Sequence, residues 1–184
     1  MEDILQLLDR HILCLRADFY SQLNEPLTDT EIENLENQYN VKLPADLKKL
    51  YKWKNGQSEN CYESFVNNSM FMALEDSLSY AETLTSMIGY DFEIENWWNK
   101  SWIPIFNNGG GDLVCIDLDG VFTGLRGQIV EFWHADDDRN VIAPSLSTLI
   151  SNINSFYELT NPLDFDEYFT ISLSEGFPKR FEVA

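Results

Sequence analysis

The sequence predicts a single α+β domain, a mixed and largely antiparallel sheet flanked by helices, and three observations carry that prediction. Residues 102–149 place the apolar runs WIPIF, LVCID and QIVEFWH between glycine-rich breaks, and connections that short favour antiparallel pairing. The first half instead spaces its apolar residues for helices and carries capping signals. The third observation is size: 184 residues with 44% hydrophobic and 14% aromatic content can bury one self-sufficient core.

The elements follow in order. Ile4, Leu7, Leu8, Ile12 and Leu15 predict one amphipathic helix within residues 3–23, stopped before Pro26. Thr28 and Glu31 have capping-box spacing, and Ile32, Leu35 and Tyr39 give the helix behind them its apolar stripe. A third helix starts at Pro44, buries Leu47, Leu50 and Tyr51, and ends at Asn55-Gly56, where glycine can adopt the left-handed cap. Lys42, Lys48, Lys49, Lys52 and Lys54 cluster there and read as a solvated face that also favours the helix dipole. Residues 57–70 are polar and irregular. Met70-Phe71-Met72 is a short strand, and Leu78, Ala81 and Leu84 line a helix over 75–87. Residues 90–101 fit neither period, so they form a loop that anchors Trp97 and Trp98 on the core.

Strands are predicted at 102–106, 113–117 and 128–134, broken by Asn107-Asn108-Gly109-Gly110-Gly111 and by turns at Asp119-Gly120 and Gly124. A helix over 147–159, entered through Pro144-Ser145, ends at Asn161-Pro162. Residues 163–184 form a C-terminal extension, acidic first and mildly basic near Lys179-Arg180. There is no internal repeat.

Charge narrows the partners. The chain carries 31 acidic and 12 basic residues, a net −19, and residues 57–184 account for −16 of it. Such a surface repels phosphate backbones and anionic membranes, so the expected partner is a protein, with no direct nucleic acid and no membrane. Cys14, Cys61 and Cys115 form no Cys-x-x-Cys pair and read as buried thiols in a reducing, cytoplasmic compartment. The acidic start Met1-Glu2-Asp3 is the wrong charge for a signal peptide.

Chemical motifs are sparse. Asp136, Asp138 and Asn140 match the first alternating ligands of a calcium loop, but Val141 stands where its glycine belongs and Ser147 where its glutamate belongs. Asp112, Asp117 and Asp119 make no better metal site. Cys115 with His134 is a formal nucleophile pair, yet a thiol in an apolar strand is normally protonated and inert. The glycine triplet lacks the Gly-Lys-Ser/Thr ending of a phosphate loop, and Asp112 follows it. No enzyme, cofactor or metal is expected.

Four segments in one order suggest a family. They are Leu43-Pro44 with Asp46-Leu47 leading to Asn55-Gly56; Trp102-Ile103-Pro104-Ile105; Gly110-Gly111-Asp112 before Cys115-Ile116-Asp117; and Gly127-Gln128-Ile129-Val130, followed by the helix after Ala143-Pro144-Ser145. Through them, over residues 28–155, the chain resembles the SUKH superfamily of bacterial immunity proteins and fungal regulators of cell-wall assembly. The resemblance implies a protein-binding scaffold in which Pro44, Gly56, Trp102, Pro104, Gly110, Gly111, Asp112, Asp117 and Gly127 are structural. It divides the chain into an N-terminal helical extension (1–25), a SUKH-like domain (26–160) and a C-terminal extension that packs on or flanks it (161–184).

Within that scaffold Trp133 with Asp136, Asp137 and Asp138 is the expected contact patch, an aromatic beside carboxylates at a strand end, with Asp119 as a neighbour across the turn. A solvated acidic turn with Trp133 in the core is the plainer reading of the same residues. The resemblance implies an immunity protein that neutralises a cognate toxin with a basic surface, such as a nuclease. The alternative is a regulatory module that binds several cellular proteins.

Overall fold

The computed structural model describes residues 1–183. Its elements are α1 (Glu2–Leu15), α2 (Ala17–Tyr20), α3 (Asp29–Gln38), α4 (Ala45–Trp53), β1 (Met70–Phe71), α5 (Leu74–Ser86), β2 (Trp102–Asn107), β3 (Leu113–Asp117), β4 (Gln128–Phe132), β5 (Asp138–Ala143), α6 (Leu146–Leu159) and β6 (Lys179–Glu182). The strands form one six-stranded sheet in chain order, and every neighbouring pair is antiparallel.

The first predicted helix is two helices, because Arg16 leaves the helical region (φ −141°, ψ 54°). Its guanidinium turns inward between the Phe19 and Phe169 rings, 3.9 and 3.5 Å from their centroids, and donates to Ser64 O (2.8 Å) and Tyr157 Oη (3.1 Å). A continuous helix could not deliver the arginine there.

The capping box forms as expected: Thr28 N donates to Glu31 Oε2 (2.7 Å) and Glu31 N to Thr28 Oγ1 (3.3 Å). The lysine cluster is paired rather than merely solvated. Lys48 and Lys42 donate to the buried carboxylate of Glu36 (2.8 and 3.3 Å), which also accepts from Leu43 N (2.8 Å), while Lys49 faces Glu2 and Lys52 faces Asp29. Helix α4 ends at Lys54 in extended backbone, before Gly56. Gly56 serves packing instead: at φ +75° it presses on the backbone of Met72 and Ala73, where any Cβ would collide. Asn55 Oδ1 meanwhile caps α5 by accepting from Leu74 N (2.9 Å).

Both faces of the sheet are covered, which is why the strands read as nearly unbroken apolar runs. Ile103, Ile105, Val114, Ile116, Ile129 and Ile142 join the core built with α1, α4 and α6. Trp102, Leu113, Cys115, Val130 and Phe132 form a second core under α5 and the 92–98 segment. Pro104 lies within β2, yet β1 reaches only Phe106 and Asn107, and the Pro104 carbonyl accepts from the Ser77 hydroxyl of α5. The missing amide therefore leaves no ladder partner unmet.

Two strands were not expected. β5 opens Asp-Arg-Asn before its short apolar end Val141-Ile142-Ala143, and β6 is Lys-Arg-Phe-Glu, with no apolar run. β5 nevertheless buries Arg139 and Asn140 between two strands, and β6 pairs Arg139 with Phe181. β4 is correspondingly shorter than predicted and ends at Phe132, so Trp133 and His134 lie in the turn that follows.

Candidate functional site

The acidic turn between β4 and β5 is built around Arg139. This side chain has no measurable exposure, and its guanidinium donates to Trp97 O (3.0 and 2.8 Å), Asp136 O (2.6 Å) and Asp138 O (2.7 Å). It lies over the rings of Trp97 and Phe132, 4.9 Å from each centroid. Burial pulls the arginine pKa down to about 10, and the nearby carboxylates of Asp136 and Asp137 resist that shift. A buried cation held only by carbonyls needs negative charge close by, and the aspartates supply it.

Trp133 is half-buried, Asp136 is exposed, and Asp137 and Asp138 are partly exposed; Asp138 begins β5 opposite Glu182 of β6. Carboxylate oxygens of the three aspartates lie within 4.8 Å of one another. Asp119 does not join them. It follows β3 at the end where Asp117 pairs with Gln128, whereas the acidic turn follows β4 where Phe132 pairs with Leu113. The two positions stand at opposite ends of the ladder, about 13 Å apart along the strand.

Asp112 and Asp117 bracket β3 and organise its two connections. The fully buried Asp117 accepts from Ser101 Oγ (3.1 Å), Asp119 N (3.0 Å), Gly120 N (3.0 Å) and Gln128 Nε2 (2.8 Å). Asp112 accepts from His134 N (3.0 Å), the His134 ring (2.9 Å) and Asn108 Nδ2 (2.8 Å). Burial alone would raise the Asp112 pKa, but these contacts to His134 and Asn108 outweigh it and hold the carboxyl below its usual range. Gly111, at φ +105°, lets the histidine ring in: a Cβ there would lie 3.0 Å from His134 Cγ. Gly127 N donates to Asp117 O (2.7 Å), closing the connection from β3 to β4.

These contacts account for the chemical motifs. Asn108 Oδ1 accepts from Gly110 N (2.8 Å) and Asp112 N (3.0 Å), so those amides of the glycine loop are already engaged. Cys115 is fully buried and burial drives its thiol pKa well up, while His134 sits four residues beyond its ladder partner Val130, beside Gly111 and Asp112. Asn140 is a strand residue whose amide donates to Glu131 (3.1 Å), which takes it out of any calcium loop with Asp136 and Asp138.

The larger hollow is an open groove of about 730 Å³ between α1 and α4, lined by Leu5, Asp9, Lys49 and Trp53 among others. Several of its polar groups already have partners: Asp9 accepts from Tyr20 and Trp53, Lys49 pairs with Glu2, and Lys52 pairs with Asp29. A smaller cleft of about 290 Å³ holds Glu131, Trp133, Asp112 and Asn68. Burial pushes the Glu131 carboxyl up, against its bond from Asn140, and the charge of Asp112 adds to the rise.

The residues that sequence reasoning missed are Arg139 and the segment before Trp97. From Tyr90 to Glu95 the chain alternates apolar and acidic types, the period of a strand, yet it joins no strand of the sheet. Ile88, Tyr90 and Ile94 are all exposed.

The comparisons agree with this picture of a scaffold. The model of the SMI1 / KNR4 family (SUKH-1) matches residues 26–152, a span that holds β1 to β5, the acidic turn and Arg139. No curated protein matches the chain by sequence. Among the described residues, no helix is long and apolar enough to cross a membrane.

Proposed function

From its membership of the SMI1 / KNR4 family (SUKH-1), to which the chain belongs, we propose that it is a non-catalytic protein-binding module, and specifically an immunity protein that neutralises a toxin domain with a basic surface. The observation that carries this reading is the charge bias within the family match: 20 acidic and 8 basic residues over 26–152, a net −12, on a scaffold whose motif aspartates are spent on its own connections. A toxin that acts on nucleic acid carries a basic groove, and an acidic inhibitor enters that groove by the electrostatics that recruits the substrate. Trp133 and Asp136 to Asp138 form part of the proposed contact, with Asp119 a separate acidic position at the other end of the ladder. The protein acts in the cytoplasm, where a toxin's intracellular target would be.

Co-expression with the proposed cognate toxin tests the proposal. Protected growth, together with a complex on a sizing column at low salt, supports it; no protection and no complex refutes it.

A further inference from the structure

We propose that the partner docks on a composite surface made of residues 88–95 and the β4–β5 turn, and that it presents Lys or Arg side chains around an apolar contact. The inference rests on the protein-binding reading above and deepens it by naming the surface.

Residues 88–95 form a rigid knuckle. Gly89 N donates to Phe92 O (2.9 Å), and the amides of Tyr90, Asp91 and Phe92 converge on Met87 O, each at 3.1 Å. Phe92 turns inward and meets Phe132 edge-on at 6.3 Å, which leaves its neighbours outside. Tyr90 is 81% exposed, Ile88 42% and Ile94 43%. A tyrosine and two isoleucines held out by an anchored backbone bind with little ordering cost, the arrangement that favours an interface anchor.

Charge names the occupant. Asp91, Glu93 and Glu95 interleave with these apolar side chains, residues 88–99 contain no lysine or arginine, and none of the three carboxylates forms an ion pair among the described residues. The buried Arg139 ties this segment to the second connection, because one guanidinium holds Trp97 O together with Asp136 O and Asp138 O. Asp91, Glu93, Glu95 and Asp136 to Asp138 thus belong to one continuous surface with exposed apolar side chains in it. A second copy of this chain would set these carboxylates against their own kind, and a nucleic acid would be repelled; a basic protein surface meets both the charge and the apolar contact. Arg139 touches no partner and is a positioning residue for this surface.

The test uses the full chain and, as probe, a catalytically disabled form of the proposed toxin domain, with affinity read by calorimetry and association rate by stopped flow. Y90A should weaken binding at least ~10-fold. The pair Glu93→Lys and Glu95→Lys should weaken binding, slow association and flatten its salt dependence. The pair Glu25→Lys and Glu33→Lys, with the same change in net charge on exposed residues before and within α3, should leave affinity within ~2-fold, since rim charges away from an interface contribute little. All these side chains are exposed, so each variant should keep the wild-type melting temperature. If the wild type binds and the knuckle variants bind equally well, or if the control pair weakens binding as much as the knuckle pair, this surface is wrong and the binding reading stands. If the wild type does not bind the probe, that reading fails and the surface with it.

Discussion

The two sides of the sheet are each closed by a buried arginine, and they balance its charge differently. On the side of α1, α4 and α6, Arg16 lies between two phenylalanine rings, holds Ser64 O and Tyr157 Oη, and has a carboxylate, Glu63, at 3.5 Å. On the side of α5, Arg139 lies over Trp97 and Phe132, holds only backbone carbonyls, and forms no ion pair among the described residues. The first arginine fastens α1 to α6 and joins parts of the chain outside the family match; the second lies within the match and organises two acidic connections. One cation has its own counter-ion, whereas the other borrows the field of a turn. An acidic surface can therefore be part of what stabilises a fold and still face a partner.

Arg139→Ala should be the most damaging change. It leaves three carbonyls without donors and opens a cavity beneath the aromatic rings, a combination expected to cost about 3–5 kcal/mol. Arg16→Ala should cost less, about 2–3 kcal/mol, because it strips a donor from one carbonyl and one hydroxyl, Ser64 O and Tyr157 Oη, rather than from three carbonyls. Urea unfolding of both variants checks the order, and equal losses would break the comparison. Reversal of Asp136, Asp137 and Asp138 to lysine would confuse binding with stability, since Arg139 needs their charge. Asp→Asn variants at the three positions are expected to lower the melting temperature modestly, and more at low salt than at high salt.

Acid should weaken the attachment of α3 to α4 through Glu36. Burial alone would raise the Glu36 pKa, but Lys48, the Leu43 amide and Lys42 hold the carboxyl below its ordinary 4.5. A group depressed in the folded state contributes stability that is present above the unfolded pKa and lost as pH falls through the folded one. Glu36→Gln should therefore lower stability at pH 7 by about 1–2 kcal/mol and have a smaller effect below pH 4, as read by melting temperature against pH. Glu131 runs the other way. Its carboxyl is raised by burial, so its charged form opposes folding as pH climbs above 4.5. Glu131→Gln keeps an acceptor for Asn140 and should raise the melting temperature slightly at pH 7, with no gain at pH 4. Smallest of all is Tyr90→Ala, which should leave stability unchanged while it weakens binding.

Much of this molecule was legible in its sequence, and the gaps have physical causes. The capping box at Thr28, the helix entered through Ser145 and the strands at 102, 113 and 128 declare themselves because local chemistry and periodicity agree with the tertiary fold. β5 and β6 did not: β5 opens on a buried arginine whose distant partner, Trp97 O, no local pattern records, and β6 is a largely exposed edge strand with no apolar run. The break at Arg16 was hidden for the same reason: its neighbours are helix formers, and only Ser64 and Tyr157 draw it inward. The acidic turn was visible as a turn and as a patch. Its attachment to residues 88–97, and the separation of Asp119 from it, depend on which strands pair.

Hydrogen exchange of the full chain, free and bound to the proposed toxin domain, tests the central claim most directly. The account predicts that the partner slows exchange at residues 88–95 and 134–138 together, with the groove between α1 and α4 unchanged. Protection confined to that groove, with the two acidic connections exchanging as they do in the free chain, would contradict it.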